Sequence, residues 1–313
     1  MLNGWGDMIR IQPALRAFYE KAKSSVAPPG ITLGCNWVHN FPYPGVPFVH
    51  DVRPNIITLK ELSEFDLLIN LIDVNHQRSM HKSMKDLCLE IMKLNGEDQE
   101  TFLPSITPDT ARVARFKPVL EQIKADSGKK LLCVNWKSRF SHKNAQPSLF
   151  FEVVKELSKE YQAVLFKDAV PAKIMQQEID ANDCPVMNLS YLINDYHDTI
   201  AALSLMDAFV SVDTGIVHAA GALGVPGVAL FGPFPPATHV SDYPSVTGFR
   251  AEYEGKTCSG PCLETHRGCG EVNYSQNVMS PCFQAITPEK IVEIFESTIN
   301  KLNKYSKRAA VAA

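Results

Sequence analysis

Three short runs of this chain carry residues that could do chemistry. The densest is Ser211-Val212-Asp213-Thr214-Gly215-Ile216-Val217-His218. Residues 208–212 read as a buried strand and residues 216–223, small and apolar, as a helix. A strand that turns directly into a helix leaves main-chain N–H groups unpaired at the turn. With the helix dipole, these attract phosphate. Gly215 permits close backbone approach and Thr214 adds a hydroxyl donor. The same residues also fit a plain turn with an N-cap, with His218 a satisfied core histidine. A second run, Asn135 to Lys143, places Lys137, Arg139 and Lys143 in one loop. Its cations suit a departing phosphate and equally suit a solvated basic turn. The third candidate is Asp7 in Gly4-Trp5-Gly6-Asp7, a carboxylate fit for general-base work or for capping a helix.

Four cysteines form a separate group. Cys258, Cys262, Cys269 and Cys282 fall within twenty-five residues. Structural zinc, paired disulfides and reduced thiols all fit this spacing, which is looser than a paired C-x2-C knuckle, and His266 could replace one ligand. Residues 1–7 lack the basic start and apolar core of a secretory signal, which runs against disulfides. Four metal-bound thiolates would leave no open position for substrate, so no catalytic role is expected. Cys35, Cys88, Cys133 and Cys184 read as core thiols.

The elements that must position these residues follow from the pattern. The spacing predicts helices over 11–23, about 79–94 and 108–124. Strands are expected over 31–35, 46–49 and, more strongly, 65–72. The second half alternates: strands at 130–135, 163–166, 208–212 and 228–231, with helices at 147–159, 199–206 and 216–223. Such alternation argues for a parallel sheet covered on both faces, with ligands beyond the carboxyl ends of its strands. Thr287-Pro288-Glu289 opens a last helix striped by Ile291, Phe295, Ile299 and Leu302, with residues 308–313 expected to fray. We divide the chain into an N-terminal domain over 1–125, a second domain over 126–290, and a helix with tail over 291–313. With 313 residues, 45% hydrophobic and 21% charged, this is the balance of a soluble globular protein. The formal charge of -3 argues against a broad nucleic-acid partner. No apolar run is long enough to span a membrane.

Residues 206–233 (MDAFVSVDTGIVHAAGALGVPGVALFGP) resemble the signature of glycosyltransferase family 9, the ADP-heptose:lipopolysaccharide heptosyltransferases. That signature is an Asp-Thr-Gly-x-x-His turn, a small-residue helix and a strand ending in Phe-Gly-Pro. Residues 4–9 with 13–17 resemble the family's N-terminal glycine-rich turn and first helix. Residues 135–143 resemble its phosphate-facing loop, and several members carry cysteines like those near Cys282. Only three residues precede Gly4, so the family's first strand is expected to be missing or a stub.

The resemblance implies a GT-B fold: α/β, two Rossmann-like domains with parallel sheets facing across a cleft. It implies an inverting glycosyltransferase in which Asp7 is the base and Lys143 meets the leaving diphosphate. Gly6, Lys137, Arg139, Asp213, Thr214, Gly215 and His218 would line the donor site, with residues 187–203 near the nucleobase. The donor would be an ADP-sugar or another nucleotide sugar, possible heptose included, and catalysis would need no cofactor. A glycan or lipid-linked glycan, lipopolysaccharide-like, would accept it, with Phe41, Tyr43 and Phe48 either an acceptor wall or a packed loop. Such an enzyme is expected in the cytoplasm, touching a membrane at most peripherally. A sugar-nucleotide epimerase or hydrolase on the same fold, and a binding homologue without catalysis, are the competing readings.

Overall fold

The computed structural model describes residues 4–23, 30–35, 41–43, 46–54, 58–71, 81–94, 102–166, 171–258, 260–263, 269, 271 and 280–312. The N-terminal half contains α1 (Trp5–Ala22), β1 (Thr32–Gly34), β2 (Asp51–Arg53), the single turn α2 (Leu59–Leu62), α3 (Met84–Ile91) and α4 (Thr110–Ser127). The rest runs β3 (Lys130–Asn135), α5 (Pro147–Leu157), β4 (Tyr161–Leu165), α6 (Ala172–Ala181), β5 (Val186–Asn188), α7 (Tyr196–Leu203) and β6 (Ala208–Val212). It continues through α8 (Gly215–Leu223), β7 (Gly227–Leu230), α9 (Pro236–His239), β8 (Val246–Phe249) and α10 (Pro288–Ala312). Two parallel sheets flanked by helices result, the layer pattern expected of GT-B. No helix among the described residues is long and apolar enough to cross a membrane.

The large sheet is ordered β5-β4-β3-β6-β7-β8, with every pairing parallel. Its middle strands are apolar because helices cover both faces: β6 and β7 are buried at every position. Alternation then sorts the side chains. Leu131 and Cys133 join the core shared with the N-terminal half, whereas Leu132 and Val134 face the core under α5 and α10. Gly227 is glycine for a local reason. A side chain there would run into the main-chain oxygen and ring of Phe209 on β6. Helix ends are capped in the ordinary ways. Asp109 accepts from Arg112 N at 2.9 Å, and Gly128 and Gly224 close α4 and α8 with φ of 66° and 74°.

Several expectations need correction. The apolar run 65–71 forms no strand; it pairs with neither β1 nor β2, and Leu67 and Leu68 stay 63% and 62% exposed. Apolar composition without a ladder partner does not make a strand. Residues 46–49 form a turn closed by Val49 N–H on Val46 O at 3.2 Å, and the strand lies instead at β2. The first helix begins six residues earlier than its apolar stripe suggests, at Trp5 rather than Ile11. Pro13 is thus interior to α1. Elements α6, β5, α9 and β8 are additional, while α10 runs on to Ala312. Residue 72 and residues 1–3, where the family's first strand would end, lie outside the described residues.

One network ties α4 to α7. Asp198 is fully buried, accepting from Asn194 N at 2.9 Å and from Arg112 and Arg115 at 2.6 Å each. Asp195 caps α7, and it shares Arg112 at 2.6 Å. Burial pushes the Asp198 carboxyl up, but the Arg115 bond, the Asn194 N–H and the Arg112 bond together hold it below its ordinary range. Breaking a buried pair by removing one partner costs about 3–5 kcal/mol, less where the other partner can regain water, as these arginines can. Asp198→Ala is therefore expected to cost about 2–3 kcal/mol, read from the urea midpoint at unchanged slope. A loss below about 0.5 kcal/mol would show that the network does not hold the two helices together.

Candidate functional site

In the large sheet, β3 and β6 are neighbours whose following connections run to opposite sides, so a crevice opens beyond their carboxyl ends. The loop after β3 carries Lys143 in a single 3-10 turn, Ser141–Lys143. The turn after β6 carries Asp213 and Thr214 into α8. These two loops meet. Lys143 Nζ donates to Asp213 Oδ2 at 2.7 Å, and both side chains are nearly removed from water. The ammonium also lies 4.5 Å from the centroid of the Phe234 ring. Burial raises the Asp213 carboxyl, yet Lys143, His239 and His218 outweigh that and hold it well below the usual range.

Thr214 caps α8, its Oγ1 accepting from Ile216 N–H at 3.2 Å, which leaves the hydroxyl hydrogen to donate elsewhere. Tyr196 Oη donates to Gly215 O at 2.7 Å, and the Trp5 ring packs against the Tyr196 ring. His218 Nε2 sits 3.8 Å from Asp213 Oδ1, while its buried Nδ1 has no hydrogen-bond partner among the described residues. Gly6, in the first turn of α1, lies against the His218 ring so closely that any side chain there would collide with it. Gly6 and Asp7 thus occupy a helix that docks on α8, not a free loop. Asp7 faces Arg10, whose Nη1 is 3.9 Å from Asp7 Oδ1. Arg10 is itself buried, and its Nη2 donates to Thr238 O at 3.0 Å.

The structure therefore brings together Gly6, Lys143, Asp213, Thr214, Gly215 and His218. It sends Lys137 elsewhere: its ammonium bonds to Glu178 on α6, which also accepts from Trp136 Nε1 at 2.7 Å. Arg139 is exposed beside the Phe140 ring. Phe41, Tyr43 and Phe48 are buried, and Tyr43 Oη donates to Met8 O at 3.0 Å, so they form a packed loop under α1 and not an acceptor wall. Cys35, Cys88, Cys133 and Cys184 are buried, as expected of core thiols. Among the clustered cysteines, Cys269 and Cys282 are buried, Cys258 is half-buried and Cys262 is exposed. No group of three or more ligating side chains converges on a metal position among the described residues, and His266 lies outside them. Tyr196 lies within residues 187–203, expected near the nucleobase, whereas reading the sequence missed Trp5, Arg10, Phe234 and His239. Phe234 directly follows Phe-Gly-Pro, but the others reach the site only through the docking of α1 and the burial of α9.

Buried histidines give this region a pH signature. Burial first, then the charges of Arg10 and Lys143, lower His218 to about 3 against the opposing pull of Asp213, and His239 is lowered for the same reasons. A histidine whose folded pKa is depressed binds its proton in the unfolded chain first. Stability is then intact above about pH 6.5 and lost as pH falls from there toward the folded value. Each such histidine contributes a slope of about 1.4 kcal/mol per pH unit. His197, also lowered by burial, adds to the same window. His218→Asn is expected to make the dependence of unfolding free energy on pH shallower by about one proton between about pH 4 and pH 6. An unchanged slope would mean that His218 protonates as readily in the folded chain as in the unfolded one.

The model of glycosyltransferase family 9 (heptosyltransferase) matches residues 78–266. Comparison with curated proteins finds no significant match. A solved glycosyltransferase family 9 structure from Veillonella parvula superposes with a TM-score of 0.62 at 16% identity, covering 80% of this chain and 84% of that one. The ADP-heptose lipopolysaccharide heptosyltransferase II of E. coli gives a TM-score of 0.61 at 15% identity, covering 97% of each chain. TibC, a dodecameric iron-containing glycosyltransferase of enterotoxigenic E. coli, gives 0.59 at 13% identity, covering 97% of this chain and 75% of that one. At such identities the superpositions speak for the fold, and the family model covers more than half of the sequence. The chain belongs to glycosyltransferase family 9.

Proposed function

We propose that this chain is an inverting glycosyltransferase that moves a sugar from a nucleoside diphosphate to a hydroxyl of a glycan acceptor. The observation that carries the reading is the meeting of Lys143, Asp213 and Thr214 beyond β3 and β6, with Asp7 entering from α1 of the other half. In this reading the diphosphate lies at the start of α8. The Thr214 hydroxyl donates to it, the helix dipole favours it, and the Lys143 ammonium turns to it from Asp213. Asp213 then has two duties. It holds Lys143 in place in the free enzyme, and it accepts the desolvation cost of doing so. His218, neutral by burial, adds no competing charge.

The chemistry needs one base and one leaving-group stabiliser. The Asp7 carboxylate takes the proton of the acceptor hydroxyl as its oxygen bonds to the anomeric carbon. The bond from that carbon to the diphosphate oxygen breaks, and its electron pair leaves with the diphosphate. Charge on that oxygen grows beside Lys143 and the α8 donors, where a water-poor site makes them count most. All of these groups belong to the chain itself, so no step is routed through the cysteine loop. A structural zinc on Cys258, Cys262, Cys269 and Cys282 finds no converging arrangement among the described residues. The donor is proposed to be an ADP-sugar, with heptose the first sugar to try, because related solved proteins are described with ADP or ADP-heptose. The acceptor is proposed to be a lipopolysaccharide-like glycan.

A thermal-shift panel of nucleoside diphosphates and nucleotide sugars tests the donor site. A ligand at about 100 times its Kd stabilises the fold by about 2.7 kcal/mol, a shift of several degrees. No shift from any nucleotide would sink the reading. Asp7→Asn is expected to lower transfer by about 100-fold or more while leaving donor binding within about twofold. Loss of donor binding in that variant would make Asp7 a structural residue.

A further inference from the structure

The reading above leaves one buried cation without a task. Arg10 is 4% exposed and comes from the half opposite the donor turn. Its Nη2 crosses to the main-chain oxygen of Thr238 on α9, 3.0 Å away. Among the described residues the one carboxylate within ion-pair range is Asp7, at 3.9 Å, too far for a hydrogen bond. Lys143, by contrast, has a fully formed partner at 2.7 Å. A guanidinium presents five N–H donors in a planar fork that matches carboxylate and phosphate oxygens two at a time. Burying such a group against one neutral carbonyl and a distant carboxylate is costly, and an anion on the fork would offset that cost.

The surroundings narrow which anion. The Lys143 ammonium lies 4.5 Å from the Phe234 ring, whose centroid is 5.0 Å from that of His239, and Arg10 bonds to Thr238 beside His239, so the two cations flank one small buried region. That region is bounded by α1, the Lys143 turn, the start of α8 and α9, all lying beyond the carboxyl ends of β3, β6 and β7. Both histidines there are pushed toward the neutral form. They can exchange hydrogen bonds with an anion without adding charge. Asp213 and Asp7 already balance two positive charges in the free chain, so a small monoanion would gain little. A multiply charged group that can touch both cations at once gains most.

We infer that Arg10 is a second diphosphate ligand, supplied across the cleft by the acceptor-side half, so that the donor's diphosphate is gripped between Lys143 and Arg10. The inference rests on the donor site proposed above. It adds that donor binding draws α1 and α9 onto one ligand, coupling the placement of Asp7 to the presence of the diphosphate. Arg10 sits one helical turn after Asp7, so a ligand that orders one side chain orders the backbone bearing the other.

Titration calorimetry with inorganic pyrophosphate tests it on the full chain, with Lys143→Met, Arg10→Met and Arg10→Lys beside the unsubstituted protein. Arg10→Met is expected to weaken pyrophosphate by about tenfold or more, as loss of a charge-assisted hydrogen bond does. Arg10→Lys should fall between, because it keeps the charge and loses the fork. The unsubstituted protein should show a steeper loss of affinity with added salt than Arg10→Met. If Arg10→Met is too unstable to measure, Arg10→Lys carries the test, with several-fold weakening expected. Pyrophosphate affinity within about twofold of the unsubstituted protein, in whichever arginine variant remains folded, would overturn the inference. If Lys143→Met weakens binding while the arginine variants do not, only the role of Arg10 fails. If the unsubstituted protein binds no pyrophosphate, this inference and the donor site fall together.

Discussion

Everything around the crevice is arranged to make one buried ion pair tolerable. Asp213 and Lys143 meet at 2.7 Å where water scarcely reaches, and a carboxylate there would be expensive without its ammonium. The pair can exist because β3 and β6 are adjacent and parallel, so that their following loops emerge side by side. It can exist also because Thr214 caps α8 one residue later, which fixes the direction in which Asp213 points. The Phe234 ring screens the ammonium from solvent while offering it a negative π-face. An ion pair built this way contributes little net stability. It fixes the Lys143 side chain at the crevice beyond β3 and β6.

The second constraint is steric. Helix α1 approaches α8 as closely as the absence of a side chain at Gly6 permits, and the contact is made on the His218 ring. The same first turn puts Trp5 on Tyr196, and Tyr196 bonds to the carbonyl of Gly215. A residue of the N-terminal half thereby reaches the start of α8 through two side chains. The arrangement joins the two halves by packing as well as by chain connectivity. The Lys85–Asp242 ion pair at 2.6 Å reinforces it.

How much of this could be read from residues alone depends on whether the determinants are local. The turn from β6 into α8 was legible because a buried apolar strand, a threonine cap and small helical residues are all local signals. Strands β3, β4, β6 and β7 were legible for the same reason. Residues 65–71 mark the opposite limit: FDLLINL has a strand's composition, but strands need neighbours, and neighbours are a property of the fold. The start of α1 was hidden because its first turn is rich in glycine and lacks an apolar stripe, and tertiary contact with α8 overrides propensity there. Lys137 and Lys143 look alike in sequence. Only the fold shows that Glu178 claims one and Asp213 the other.

The small sheet of the first half has a further consequence. Two parallel strands of three residues each are too little to sustain a domain by themselves. The residues of α1 and α3 find their burial in a core that continues into α7, α8 and one face of the large sheet. Among the described residues the first half therefore takes much of its burial from the second. Opening α1 would strip cover from α8 as well, making the two halves one cooperative unit along this seam. Among the described residues that shared apolar face lies between α1 and α8, so any movement that parted them would expose it to water.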